Sequence, residues 1–373
     1  MSPPPRLRRG VPAWCLRAVL VGALGPGLAL GAAIGPVRTG AGPAVAAAEP
    51  GPAPGASRSH YLNTLDSQVL REAGRADAIA GVAADLRSAL VVLAAGSPAA
   101  DDGSVTLPDT RVRASPREVR AAVVDYVRGW TGVASVRRPD LVVVIGTTNY
   151  GTATGRPHGV SWGRLVEAVD RDLHAAGLGA EVRGGLDAEL EYNGPAPTLA
   201  WVDGYLAGTS RPYVDFGSCT CPPFGPPPLP WSVDDVAAVA TGRGRAGVLP
   251  QIYATAGGSA KEWALLARTA QQAHPDAPVR LLGVLTETAA CAGPPARDCK
   301  GIDNPSAQAW GQLVKALAGV GDADLAYASD IGYLTAPVRP AHRAPTAGLV
   351  GLSLLVAALV GGVLIERRRR RRA

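Results

Sequence analysis

Acidic side chains follow several apolar segments of this sequence, and paired carboxyl groups are what glycoside hydrolysis requires. Asp187, Glu189 and Glu191 alternate along the chain, so they share one face if an extended strand continues through them. Glu287 ends another apolar segment. Since two carboxyl groups about 5–10 Å apart can act as proton donor and as nucleophile or base, we predict Asp187 or Glu189 as donor and Glu287 as partner. The alternative is that these acids cap helices, pair with arginines or face water.

Aromatic residues accompany the same segment ends, and such rings suit the C–H faces of sugars. The sequence predicts four substrate-binding residues, which are Tyr150, Trp201, Asp215 and Tyr253. Trp201 and Tyr205 are also spaced four residues apart. The alternative for this pair is therefore a core stripe on one helix.

Sequence patterns for metal or nucleotide chemistry are missing. The five histidines are scattered, and no His-Glu-x-x-His or similar cluster occurs. No Gly-x-Gly-x-x-Gly motif follows a predicted strand, as dinucleotide binding would require. The sequence therefore predicts neither a metal nor a cofactor.

The formal net charge of +6 is concentrated at the two ends of the 373-residue chain. Residues 1–48 carry +5 and residues 366–373 carry another +5, which leaves −4 for residues 49–365. A nucleic-acid-binding surface needs clustered cations on the folded body. We therefore expect no nucleic-acid partner. The sequence does not determine the oligomeric state.

The N-terminus has the three parts of a secretory signal. Arginines precede an uncharged, mostly apolar segment at 18–34, and three alanines at 46–48 offer a cleavage site. We predict a signal peptide over 1–48 and a flexible leader over 49–58. An uncleaved anchor is the alternative.

The C-terminus has the pattern of a membrane span. Residues 347–365 carry no charge and would measure about 28 Å as a helix, which matches the hydrocarbon core of a bilayer. The six arginines in the tail at 366–373 should remain cytoplasmic. We predict a stalk over 335–346, one transmembrane helix, and an extracytoplasmic body anchored in the cell membrane. A buried core helix is the alternative.

The body at 59–334 alternates strand-like and helix-like segments. The strand-like segments are 89–94, 141–146, 181–187, 213–216, 248–253, 279–286 and 325–331. Strands alternating with helices bury a parallel sheet, and the length fits a (β/α)₈ barrel. Because only seven strands are evident, we predict an α/β barrel with one irregular or missing unit. An open doubly wound sheet is the rival fold.

Four cysteines lie in the predicted extracytoplasmic body, and an even number outside the cell favours disulfides. Cys291 and Cys299 flank one loop, so a bridge between them is the first expectation. Cys219 and Cys221 would then either form a tight ring or each cross to the other loop.

Five short segments of the body form a recognisable set: 61–65 (YLNTL), 143–150 (VVIGTTNY), 201–205 (WVDGY), 249–253 (LPQIY) and 283–287 (GVLTE). Together they resemble a group of secreted actinobacterial proteins regarded as glycoside-hydrolase-like barrels of unassigned activity. The resemblance implies a barrel that acts on or binds an external or envelope polysaccharide. It also implies an acid where this chain has Gln251. The alternatives are a non-catalytic surface protein that binds a glycan or protein, and a structural envelope protein.

Overall fold

The computed structural model of the protein describes residues 52–219, 229–292, 299–318, 320 and 325–335. The predicted signal peptide, transmembrane helix and arginine tail lie outside these residues, as does all of the predicted stalk after Thr335. Within the described ranges, no helix is both long and apolar enough to cross a bilayer.

The described part of the chain contains eleven strands in two sheets. In chain order they are β1 Ala56–Tyr61, β2 Ser88–Ala94, β3 Ser97–Pro98, β4 Val105–Thr106, β5 Arg113–Ala114, β6 Asp140–Thr148, β7 Glu181–Asp187, β8 Tyr213–Asp215, β9 Ala246–Val248, β10 Gly283–Thr286 and β11 Tyr327–Tyr333. Strands β3, β4 and β5 form a small antiparallel sheet. The other eight form one parallel sheet, which positions the candidate site.

The parallel sheet curves into a nearly closed barrel. Its strand order is β10-β11-β1-β2-β6-β7-β8-β9, and parallel bridges from Val248 to Leu281 and from Gln251 to Leu285 join its two edges. The predicted α/β barrel is therefore confirmed. Strand β1 is the eighth strand, and it begins at Ala56 within the segment predicted as a flexible leader.

Helices cover the outside of the barrel. They are α1 Ser67–Ala83, α2 Pro116–Thr131, α3 Arg156–Ala175, α4 Pro195–Gly208, α5 Val233–Thr241, α6 Ser259–Ala273, α7 Thr288–Ala292 and α8 Ser306–Ala316. Local sequence explains where several begin. At the start of α2, the Ser115 hydroxyl accepts from the backbone of Glu118, whose carboxylate accepts from the backbone of Ser115. This reciprocal cap satisfies two backbone N–H groups that the helix cannot pair internally.

Alternation along the strands divides the apolar core into two layers. Leu90 and Val92 of β2 belong to the cluster inside the barrel, whereas Val91 and Leu93 belong to the larger cluster beneath the helices. The inner cluster also contains Phe216 and Leu285. Apolar side chains therefore fill the inside of the barrel, and the candidate functional residues lie at the strand ends.

The disulfide between Cys291 and Cys299 is present, as the sequence predicted. It joins the end of α7 to the segment before α8. Because β10 lies just before α7, the bridge restrains the chain that follows Glu287.

Candidate functional site

The carboxyl ends of the parallel strands bring several predicted residues to one mouth of the barrel. Tyr61 ends β1, Asp187 ends β7 and Glu287 directly follows β10. Gln251 lies three residues beyond the end of β9 and is bridged to Leu285 of β10. Parallel strands end at the same edge of a barrel, so residues far apart in sequence meet there.

Asp187 and Glu189 form a hydrogen-bonded carboxyl pair on one wall of this mouth. Glu189 is only 8% exposed, and Ser218 donates its hydroxyl to Oε2 of Glu189. The buried Asn149 side chain accepts from the Glu189 N–H and donates to the Glu189 carbonyl, both at 3.0 Å. The loop after β7 is thereby held in one position, with Asp187 half-buried beside it.

Burial makes this pair retain a proton. It raises the pKa of Glu189 to about 7, with help from the charge of Glu191. Burial also raises the pKa of Asp187 well above the usual range, and Glu189, Asp215 and Glu287 add repulsion between like charges. A carboxyl pair that holds a proton near neutral pH can serve as a general acid.

Gln251 orients Asp187 from the neighbouring wall. Its Nε2 donates to Oδ1 of Asp187 at 2.7 Å and to the carbonyl of Phe216 at 3.1 Å. Gln251 is 9% exposed. The residue that stands where the resemblance implies an acid is therefore a buried amide that fixes the candidate donor.

Glu287 lies on a different wall of the mouth, since β8 and β9 separate β7 from β10 around the barrel. The Tyr61 hydroxyl donates to Oε1 of Glu287 at 2.9 Å. Burial raises the pKa of Glu287 to about 6, and the hydrogen bond from Tyr61 opposes that rise. Glu287 is thus mostly ionised at neutral pH. Because its charge raises the pKa of Asp187, the two walls interact electrostatically.

Tyrosines line the mouth near these acids, one of them half-buried and two of them exposed on the rim. Tyr253 is half-buried and, like Tyr61, packs against the apolar cluster inside the barrel. Tyr150 and Tyr192 are exposed on the rim, with ring centroids 5.4 Å apart in an edge-to-face arrangement. Burial raises the pKa of Tyr192, and the nearby charges of Asp187 and Glu189 raise it further, so this rim pair lies close to the carboxyl pair.

Trp201 does not reach the mouth, so its predicted role in substrate binding is wrong. Its indole is fully buried, donates to Nδ1 of His158 at 2.9 Å, and stacks on Tyr205 at 5.6 Å. The alternative is therefore correct, because Trp201 and Tyr205 form a buried stripe on α4. The prediction for Trp201 failed because an aromatic residue can either line a binding site or pack in the core, and its type and spacing do not distinguish the two.

Asp215 lies beneath the mouth and not on its surface. It is 2% exposed, and its Oδ1 accepts the N–H of Gly217 at 3.1 Å. Ala188 also donates its backbone N–H to Asp215. Because those two amides belong to the loops that carry Glu189 and Ser218, Asp215 holds these loops from beneath the mouth. Its burial contradicts the prediction that it lies on the substrate-binding surface.

Three contributors to the site were not identified from the sequence, namely Tyr61, Asn149 and Ser218. Tyr61 was missed as a site residue because β1 is rich in polar residues and lacks the apolar pattern of a buried strand. Asn149 and Ser218 each follow a strand that the sequence did predict. Listing every polar residue within a few positions of those strand ends would have found both.

A Gly-x-Ser-x-Gly sequence at 159–163 has no catalytic geometry. It lies within α3, whereas a nucleophilic serine of this motif lies on a turn between strand and helix. The Ser161 hydroxyl donates to the carbonyl of Asp101 at 3.0 Å. Both glycines instead allow α4 to approach α3 closely, since a Cβ on Gly159 would lie 2.1 Å from the Trp201 carbonyl oxygen.

No protein-family model and no curated protein matches this chain. The described residues contain no group of three His, Cys, Asp or Glu side chains that could hold a metal ion. Fold and geometry therefore define the class. This is an α/β protein with a nearly closed eight-stranded parallel barrel and a mouth lined by carboxyl groups and tyrosines.

Proposed function

We propose that this chain is a glycoside-hydrolase-like protein that acts on, or binds, an envelope or external polysaccharide at the mouth of its barrel. The observation that carries the proposal is the presence of two interacting acidic sites on different walls of one mouth. The Asp187–Glu189 pair retains a proton, whereas Glu287 is mostly ionised. Two carboxyl sites in different protonation states are what glycoside hydrolysis uses. The resemblance stated above supports the same class.

We infer a role for each acid from its burial and its contacts. Asp187 is the more exposed member of the pair, so it delivers the proton to the glycosidic oxygen. Glu189 lies behind it and shares that proton. Glu287 acts as nucleophile or base, and its hydrogen bond with Tyr61 orients the carboxylate. Gln251 keeps Asp187 in position.

The rim tyrosines provide a surface for sugar rings. Tyr150 and Tyr192 are 51% and 43% exposed and contact each other, and Tyr253 lies deeper, near Glu287. Exposed aromatic faces beside polar groups suit a carbohydrate chain. We place the chain along this surface, with the bond to be cleaved between Asp187 and Glu287.

The membrane anchor at 347–365 and the extracytoplasmic location of the body are also part of this proposal. Thr335 follows β11, and its backbone exchanges hydrogen bonds with the side chain of Asn63 just beyond β1. The chain therefore leaves the barrel at the same end as the mouth. A predicted stalk from this point would tether the protein beside its candidate site.

The test uses the full chain in detergent, a panel of cell-wall and plant polysaccharides, and assays of both reducing ends and binding. Glu287→Gln should lower turnover by about 10²–10⁴-fold, because the shape is kept while the reacting carboxylate is lost. Binding should change little. Glu181→Gln is the matched control, since Glu181 lies at the opposite end of β7, and it should retain full turnover.

A non-catalytic glycan-binding protein is the second candidate, and Gln251 favours it because an amide occupies the position where the resemblance implies an acid. That protein would bind a polysaccharide of the panel without turnover, and Glu287→Gln would then change only its affinity. Turnover that depends on Glu287 contradicts this candidate. A wild-type chain that neither cleaves nor binds any member of the panel contradicts both proposals.

A further inference from the structure

A second polar cavity lies at the end of the barrel opposite the mouth. Its volume is about 260 Å³, and its walls come from the segments that enter β8, β9 and β10. Arg183, Arg245 and Arg280 line it. None of these residues takes part in the candidate glycan site.

The charges around this cavity are not balanced. Arg183 donates to Oε1 of Glu181 at 2.7 Å. Arg245 donates to the backbone carbonyls of Leu206 and Thr209 and has no carboxylate partner among the described residues. Arg280 is exposed, and within the described part of the chain its guanidinium has neither an ion pair nor a hydrogen bond. Three guanidinium groups and one carboxylate therefore carry a net charge of +2.

A glycine-rich turn keeps one side of the cavity open. In the sequence 242–247 (GRGRAG), Gly242, Arg243 and Gly244 all have positive φ angles, of 47°, 54° and 83°. Glycine adopts this backbone conformation at no steric cost. A Cβ on Gly244 would meet no atom within 4 Å, so the wall beside Arg245 is bare. The turn runs directly into β9, which begins at Ala246, and Gly244 and Gly247 both line the cavity.

We propose that this cavity is an anion-binding site for a phosphate group. Guanidinium groups present forked N–H donors that match two oxygens of a phosphate, and a phosphate monoester carries a charge of about −1.5 to −2. That charge matches the +2 of the cavity. The same chemistry occurs in a free phosphate ion and in a phosphodiester of an envelope polymer, so the experiment must separate these sources. The proposal does not depend on the function of the mouth.

The experiment is calorimetric titration of the full chain in detergent with inorganic phosphate and, separately, with a glycerol phosphate oligomer. We expect saturable binding that weakens as salt is raised, because the contacts are ionic. Arg280→Gln should weaken binding at least tenfold, and it should preserve the fold because Arg280 is exposed. Preference for inorganic phosphate would assign a free phosphate ion, and preference for the oligomer would assign a phosphodiester chain.

Arg243→Gln is the matched control. Arg243 lies in the same glycine-rich turn, but its guanidinium bonds to Asp203 at 2.7 and 3.0 Å on the outer surface. This variant should bind phosphate as the wild type does. Three results would overturn the proposal: no binding of either probe, equal weakening by Arg243→Gln and Arg280→Gln, or tighter binding of succinate than of phosphate.

Discussion

Asp215 offers the most direct link between burial at this site and the stability of the fold. Its side chain is 2% exposed, and burial raises its pKa from 3.8 to about 7, against the opposing effect of two backbone hydrogen bonds. The unfolded chain should release this proton near the ordinary pKa. Asp215→Asn removes the titration while keeping the size of the side chain.

The sign and size of the effect follow from proton linkage. Between the two pKa values the folded protein holds more protons than the unfolded chain, so the free energy of unfolding falls as pH rises through this window. A shift of about 3 pKa units corresponds to about 4 kcal/mol, of which about 3 kcal/mol is lost between pH 4.5 and pH 8. The Asp215→Asn variant keeps this part of its free energy of unfolding as pH rises, because its amide stays neutral.

The assay is urea denaturation of the full chain at several pH values, followed by tryptophan fluorescence. The stability of Asp215→Asn relative to wild type should rise by about 3 kcal/mol from pH 4.5 to pH 8. Any constant effect of the new amide cancels in this difference. Asp172→Asn is the control, because Arg120 lowers the pKa of Asp172 and so leaves it ionised across the range.

Parallel pH curves for wild type and Asp215→Asn would refute the reasoning. They would mean that the Asp215 carboxyl titrates in the folded protein as it does in the unfolded chain. Its burial beneath the mouth would then lack the electrostatic effect described here.

Two further predictions concern the scaffold. Gly159→Ala should lower the free energy of unfolding by about 1–3 kcal/mol, because the added methyl group would push α4 away from α3. Gly311→Ala should raise the free energy of unfolding by up to about 1 kcal/mol, since no atom lies within 4 Å of its added Cβ and alanine favours a helix. Equal effects of these two variants in urea denaturation would contradict the packing argument. Replacing Cys291 and Cys299 together by serine should lower stability by about 2 kcal/mol, because an eight-residue separation closes a short loop. A reductant should lower the stability of the wild type by at least this amount.

The sequence was sufficient where local pattern determines structure. Apolar β-branched segments alternating with amphipathic ones predict parallel strands crossed by helices, and seven of the eight barrel strands were found in this way. It also predicted Asp187, Glu189 and Glu287 close to strand ends, which are brought to one mouth because parallel strands all point the same way. Cys291 and Cys299 are near neighbours in the chain, so their pairing needed no knowledge of the fold.

Tertiary structure alone determined which polar residues are buried and which aromatics face the mouth. Asp215 ends β8 as the mouth residues end their strands and Trp201 lies within α4, but neighbouring loops and helices cover both.

Strand β1 was missed for a related reason, since its buried serines find partners on the neighbouring strands β2 and β11. The Ser57 hydroxyl donates to the Leu90 carbonyl at 2.6 Å, and the hydroxyls of Ser59 and Ser329 lie 2.7 Å apart. Those two serines are 270 residues apart in the chain. A buried polar group is stable only when its partner is present, and no local pattern shows a partner so distant in sequence.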